Sequence, residues 1–309
     1  MSGWRLVADV GGTNVRFARA GHDGALAHIR HAPTAGIASF CEAMRDYLAT
    51  IGGAMGCSGV AIGAAGPIED GQVQLTNGAW EIQSSAVSEA LAGIPVGLFN
   101  DLEAIALALP VLAGADVTPI GAGNTADRRK AMLAVNVGTG FGAAACLPLD
   151  GGWITVPGES GHMSLSDEVY RALDVPPLGP SIEDLLSGRG VAALYRAVRG
   201  ASKADATSSE SVFEKATADI AAQRVTRAFT RCIGSVAGDL ALATGAWGGV
   251  FLCGGVVSGW IGHADAADFR AGFEAKGAMS ERMRHVFTGR IARGDAALIG
   301  LARARLPAG

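Results

Sequence analysis

The sequence predicts an α/β protein with an internal duplication, and three observations carry that expectation. Buried apolar runs end in glycine pairs or loops at 11–12, 138–142 and 254–255. Stretches with apolar spacings of three and four, the helical signature, stand between them. A glycine-turned β-hairpin followed by a further strand and a β-α-β crossover occurs once in each half of the chain.

Taken in order, residues 5–10 form an apolar strand ended by Gly11-Gly12, 15–20 a second strand, and 25–31 a third after the turn at 22–24. Ile37, Phe40, Met44, Leu48 and Ile51 place a helix there, stopped by Gly52-Gly53. A buried strand over 59–64 ends in Ala65-Gly66-Pro67, and a turn at 69–71 leads to a short strand over 72–76. The strand at 96–99 runs into Asn100-Asp101 and a helix over 102–109, which Pro110 closes. After a polar, Gly/Thr-rich stretch at 118–129 the pattern restarts. Strand 131–137, glycine loop 138–142, strand 141–147, turn 150–152 and strand 153–156 mirror the first three strands. Helical patterns over 182–197 and 212–244 follow, with 200–211 a polar surface loop between them, then a buried strand at 249–253 and a C-terminal helix over 296–306. Gly-Ala-Ala-Gly-Pro at 63–67 and Cys-Gly-Gly at 253–255 occupy matching places, and a cleft is expected between the halves.

A chain of 309 residues is long enough for two ordinary domains. With 25 Lys+Arg against 29 Asp+Glu the net charge is −4, which argues against nucleic acid or an anionic membrane as the main partner. Hydrophobic residues at 49%, charged residues at 17% and a mean hydropathy of +0.30 exclude a disordered chain. The 45 glycines, about twice the usual share of roughly 7%, require many tight turns and close backbone approaches. Cys41, Cys57, Cys146, Cys232 and Cys253 are scattered and contain no C-x-x-C, so neither a disulfide framework nor a cysteine zinc site is expected, and a reducing cytoplasm is the simplest home. Asp9 stands too early for a signal peptide, and the longest apolar stretches, 104–115 and 247–257, are broken by Pro or Gly.

Four clusters carry candidate chemistry. Asp9-Val10-Gly11-Gly12-Thr13-Asn14 sets a carboxylate at a strand end before two glycines, a hydroxyl and an amide, the parts of a phosphate loop; the same residues also suit a plain hairpin turn. Gly138-Thr139-Gly140-Phe141-Gly142 repeats that chemistry. Gly138-x-Gly140-x-x-Ala143 also satisfies a dinucleotide fingerprint, but Pro148 and Asp150-Gly151-Gly152 leave no room for the crossover helix it needs. Asn100-Asp101 stands between a strand and a helix, with Glu103 as capping-box partner of Asn100, which leaves Asp101 at a strand end where an α/β enzyme keeps a general base. Glu159 and His162 stand three apart, but Pro157, Gly158 and Gly161 forbid a good helix, so a loop offering two hydrogen-bonding side chains to a polar ligand is expected rather than a metal pair.

Together these motifs resemble the bacterial glucokinase family, the hexokinase-like sugar kinases of the actin, Hsp70 and sugar-kinase superfamily. The resemblance runs in order through LVADVGGTNVRF (6–17), LTNGAW (75–80), FNDLEA (99–104), VGTGFG (137–142), VPGESGH (156–162), LSGRGVAALYR (186–196), GGVFLCGGVV (248–257) and FRAGFEAKG (269–277). It implies two domains of duplicated ribonuclease-H-like, actin-type fold flanking a cleft. The small domain would span 1–111, joined by the returning helix at 295–309, and the large domain 112–294. It implies ATP and Mg²⁺ as cofactors, a hexose, D-glucose, as substrate, a homodimer, and a cytoplasmic location without nucleic acid or membrane partners.

By the same resemblance Asp101 is the catalytic base, and Asn100, Glu159, His162 and Glu183 hold the sugar hydroxyls. Ala8, Asp9, Val10, Gly11, Gly12, Thr13 and Asn14, with Gly138, Thr139 and Gly140, flank the ATP phosphates, and Gly254 and Gly255 pass close to the adenosine. Asp9 would act through water bound to Mg²⁺, with no residue ligating the metal directly. Ser160 stands where the family has Gly, and Asn136-Val137 precede the second loop where other residues are usual. The 162–183 segment is shorter than in most members, so Glu183 is aligned from the following Leu186-Ser187-Gly188. A kinase for another hexose, a non-catalytic sugar sensor on the same fold, and a dinucleotide-dependent oxidoreductase are the competing readings. The zinc-bearing repressor and kinase relatives fit poorly, since their cysteine-rich motif is absent.

Overall fold

A computed structural model describes residues 3–75, 78, 80–121, 125–200 and 207–307. The described residues fall into two compact units: one runs up to Leu112 and resumes at Gly294, and the other is Ala113–Arg293. Thr76, Asn77 and Ala79 of the LTNGAW motif, 122–124 of the Gly/Thr-rich stretch and 201–206 of the polar loop lie outside the described residues.

The first unit opens with an antiparallel meander of β1 (Trp4–Val10), β2 (Asn14–Ala20) and β3 (Leu26–Pro33). Helix α1 (Phe40–Thr50) follows because Ser39 caps it, accepting the Glu42 N–H at 3.2 Å, and because Phe40, Ala43, Met44, Tyr47 and Leu48 share its buried face. Then come β4 (Cys57–Ala64), a small antiparallel sheet of β5 (Ile68–Glu69), β6 (Gln72–Gln74) and β7 (Glu81–Gln83), helix α2 (Ser84–Ala90), β8 (Val96–Asn100) and α3 (Asp101–Ala108). The main sheet has the order β3-β2-β1-β4-β8, with β1, β4 and β8 parallel. Strands buried on both faces read as continuous apolar runs, as β4 does over its last six residues.

The second unit contains β9 (Val117–Pro119), then a second meander of β10 (Met132–Val137), β11 (Phe141–Leu149) and β12 (Gly152–Gly158). It continues through α4 (Asp167–Ala172), α5 (Ile182–Leu185), α6 (Gly188–Arg199), α7 (Ser209–Glu214), α8 (Ile220–Thr244), β13 (Gly249–Cys253), α9 (Gly255–Trp260), α10 (Ala266–Glu274), α11 (Ser280–Arg284) and β14 (Thr288–Ile291). Its sheet has the order β12-β11-β10-β13-β14-β9, with β10, β13 and β14 parallel. Apart from the added edge strand β9, strand order and direction match those of the first unit. The last helix, α12 (Ala296–Leu301), packs against α3 in the first unit.

Several elements depart from the sequence reading. The expected helix over 182–197 is two helices, because Ser187 leaves helical geometry to cap α6, accepting the Gly190 N–H at 3.1 Å. The helix expected over 212–244 is broken at Asp219, whose carboxylate accepts the N–H groups of Ala221 and Ala222 and starts α8. The C-terminal helix ends at Leu301 rather than 306. Strands β7, β9 and β14 and helices α2, α4, α9, α10 and α11 carried no signal strong enough to be expected.

Candidate active site

Register aligns the chemistry of the first unit. Val10 pairs with Ala64 across β1 and β4, and Ala64 pairs with Asn100 across β4 and β8, so three parallel strands end level. Two strand spacings separate the first glycine hairpin from Asn100-Asp101, about 10 Å. Ala8 and Val10 are buried in β1, while Thr13 and Asn14 are exposed at the hairpin tip. The tip is braced: the Gly11 N–H donates to Asn14 O at 2.9 Å, and the Thr34 hydroxyl donates to Gly12 O at 2.8 Å. Asp9 faces Arg16 across the β1–β2 ladder, and their side chains form an ion pair. The same guanidinium donates to the carbonyl of Gly294, where the chain re-enters this unit.

Asn100 is the N-cap of α3, accepting the Leu102 N–H at 2.9 Å, and Glu103 accepts the Asn100 N–H at 3.0 Å. The capping box read from the sequence is therefore present. It leaves Asp101 as the first helical residue, partly exposed, with Oδ1 accepting the Leu102 N–H at 2.8 Å. A carboxylate here also suits the positive end of the helix dipole.

In the second unit the β10–β11 hairpin presents Gly138, Thr139 and Gly140, with Thr139 exposed and the Gly138 N–H donating to Gly140 O at 2.9 Å. Asn136 pairs with Cys253, so this loop and Gly254-Gly255 leave adjacent parallel strands side by side. Gly254 has φ +102, and a β-carbon there would overlap the carbonyl of Val137, so the close approach demands glycine. Glu159, Ser160, Gly161 and His162 form a short 3-10 turn rather than an open loop, with Glu159 and His162 exposed. Buried Gly161 packs its backbone on the Phe141 carbonyl, which joins this turn to the second glycine loop.

Glu183, in α5, reaches the same loop: Oε2 accepts the Phe141 N–H at 2.9 Å, and Oε1 pairs with Arg189. Beside it, hydrogen bonds from the Ser181 hydroxyl and N–H, at 2.7 and 2.9 Å, hold the Asp184 carboxyl below the usual carboxylate range. Thus the first unit gathers Asp9, the hairpin residues, Asn100 and Asp101 at one sheet edge. The second gathers Gly138–Gly140, Gly254, Gly255, Glu183 and the 159–162 turn. Sequence reasoning missed Arg16 and Arg189. The hairpin register could have revealed Arg16 opposite Asp9, whereas no pattern ties Arg189 to Glu183 across the Leu186-Ser187 break.

Among the described residues no group of three or more His, Cys, Asp or Glu side chains converges as a metal site. Within the first unit the Asp9 carboxylate, the Thr13 hydroxyl and the Asn14 amide are groups of the kind that meet a magnesium nucleotide's water shell and phosphate oxygens, and within the second the exposed Thr139 hydroxyl is another. Among the same residues no helix is long and apolar enough to cross a membrane.

Solved structures similar to this one include glucokinases. A glucokinase from an Antarctic psychrotroph superposes with a TM-score of 0.83 at 30% identity, covering 98% of each chain. A ROK family glucokinase from Streptomyces griseus, solved with glucose and AMPPNP, shares the fold at a TM-score of 0.63 and 20% identity, covering 97% of this chain and 98% of that one. By class, then, the protein is an α/β sugar kinase. The family model for Glucokinase matches residues 6–307. The glucokinase of Chromobacterium violaceum is 37% identical over 287 residues, 89% of this chain and 82% of that protein. That of Caulobacter sp. strain K31 is 36% identical over 324 residues, covering 99% and 96%. The chain belongs to the glucokinase family.

Proposed function

We propose that the chain transfers the γ-phosphoryl group of ATP to the 6-hydroxyl of D-glucose, giving glucose 6-phosphate and ADP. The observation that carries the residue assignment is the level ending of β1, β4 and β8, which sets Asp101 on the same sheet edge as the first glycine hairpin. Asp101 accepts the proton of the attacking hydroxyl, a role open to a partly exposed carboxylate at a helix start. Asn100, Glu159, His162 and Glu183 hold the sugar hydroxyls, so an epimer leaves a polar partner unpaired.

Phosphoryl transfer needs positioning and charge neutralisation more than covalent help. Ala8–Asn14 and Gly138–Gly140 hold the phosphates through backbone amides and the Thr13 and Thr139 hydroxyls, and Gly254 and Gly255 let the adenosine approach the backbone. Magnesium, when bound, neutralises phosphate charge. Asp9, kept in one orientation by Arg16, would receive the metal's water shell. The common strand order of the two sheets supports a duplicated ribonuclease-H-like unit of the actin type. Five free thiols accord with a reducing cytoplasm, and the family resemblance with a homodimer.

The test is ADP formation with Mg-ATP against a panel of hexoses, for wild type and Asp101→Asn. Glucose-dependent turnover that falls by about 10²–10⁴ in the variant, with glucose binding retained, is the expected result. A folded wild type that binds glucose and turns over no hexose makes the protein a sensor instead.

A further inference from the structure

Glu183 is engaged on both oxygens by its own chain. Oε2 accepts the Phe141 N–H of the second glycine loop, and Oε1 takes the guanidinium of Arg189. The carboxylate side chain is 15% exposed and the arginine 72%, so an outer cation holds an inner anion against the loop. The α5–α6 segment grips that loop a second time, since the Gly188 N–H donates to Gly138 O at 2.9 Å. Between the two grips the buried Ser187 hydroxyl donates to Glu183 O at 2.7 Å and accepts the Gly190 N–H. Gly140 has no room for a β-carbon beside Glu183 Oε2, and one on Gly161 would meet the same oxygen at 3.4 Å. One carboxylate therefore sits between the nucleotide loop and the turn that bears Glu159 and His162.

We propose that Arg189 is a positioning residue, and that through it Glu183 couples hexose binding to nucleotide binding. The inference rests on the assignment of Glu183 to the sugar and of Gly138–Gly140 to the phosphates. A carboxylate has about four acceptor positions. Phe141 and Arg189 fill two, on different oxygens, and leave the others for sugar hydroxyls. Whichever ligand binds first restrains the same carboxylate and the same loop, so the second meets an already ordered partner and binds tighter. Linkage makes the effect reciprocal. Without Arg189 the carboxylate keeps only the Phe141 contact and turns about its terminal bonds, and the two subsites lose their common fixed group.

The experiment is calorimetric titration of the full chain with glucose, with and without a non-hydrolysable ATP analogue and Mg²⁺, for wild type, Arg189→Gln and Arg189→Lys. The wild type is expected to bind glucose about fivefold or more tighter with the nucleotide present, and the nucleotide tighter by the same factor with glucose present. In Arg189→Gln the ratio falls toward one while the melting temperature stays within about 2 °C, because the side chain is exposed. Arg189→Lys restores part of the ratio. A wild-type ratio of one, or a wild-type ratio kept in Arg189→Gln, overturns the proposal even if glucose is phosphorylated. Absence of both glucose binding and ADP formation in the wild type instead removes the kinase reading on which it rests.

Discussion

Gly300 and Ala104 meet backbone to backbone: a β-carbon on Gly300 would overlap the Ala104 carbonyl oxygen and come within 2.9 Å of Ala108 N. The contact sets α12, from the end of the chain, directly against α3, whose first residue is Asp101. Gly300→Ala must push the two helices apart. We expect a loss of about 1–3 kcal/mol in urea unfolding, the range for overpacking, together with a fall in turnover. Unchanged kinetics in a destabilised variant would show that α12 supports the fold without steering Asp101.

The two glycines of the second loop should respond differently to one methyl group. At Gly140 a β-carbon collides with Glu183, whereas at Gly138 it meets only the Asn136 side chain at 3.8 Å. Gly140→Ala is expected to raise the KM for ATP about tenfold or more, a cost of ~1.4 kcal/mol, and Gly138→Ala to change it far less. Equal effects at both positions would mean that loop flexibility, rather than the Glu183 contact, governs nucleotide binding.

Arg270 organises the second unit from inside. At 7% exposure it donates to Glu274, to the Thr288 hydroxyl and to the carbonyls of Met283, Arg284 and Val286. Arg270→Met leaves the buried Thr288 hydroxyl and the Met283 and Val286 carbonyls, and the half-buried Glu274 carboxylate, with no cation, and a destabilisation of about 3–5 kcal/mol is expected from urea unfolding. A loss under ~1 kcal/mol would show that water replaces the guanidinium.

Burial pushes the thiols of Cys146 and Cys232 up to about 12 from an ordinary 9.0. The unfolded chain releases these protons as pH rises through 9, while the folded chain keeps them until about 12. Their contribution is complete below pH 9 and is lost progressively between 9 and 12. Urea midpoints measured at pH 8 and 10 should fall with pH, and fall less in the Cys146→Ala, Cys232→Ala double variant. An identical pH slope in that variant removes the two thiols as the cause.

Local signals in the sequence were enough for both meanders, the β13 strand and the Asn100 cap, because glycine turns, apolar runs and capping boxes act within a few residues. Ser187 and Asp219 interrupt apolar patterns that continue across them, so helices were read through both breaks. Short elements such as α9 and α11 have too few turns for a period to show. The candidate site follows the same division. Asp9, Asp101 and the glycine loops are legible as local chemistry, but the partners that orient them are not. Arg16 reaches Gly294 across 278 residues, and Arg189 finds Glu183 only after two caps have turned the chain.

Strands β4 and β8 are hydrogen-bonded neighbours, yet the β5–β7 sheet and α2 stand between them in the chain. Their pairing depends on the ladder and not on the length of what separates them. That stretch is nonetheless no free insertion: Val73, Leu75, Trp80, Ile82 and Val87 are buried in the core of the first unit, and the Trp80 indole donates to Ile37 O at 2.9 Å, so the excursion is tied to the body whose strand leads into Asp101. Substitutions that shrink those buried side chains should therefore disturb the strand ends before they disturb the excursion's own exposed turns.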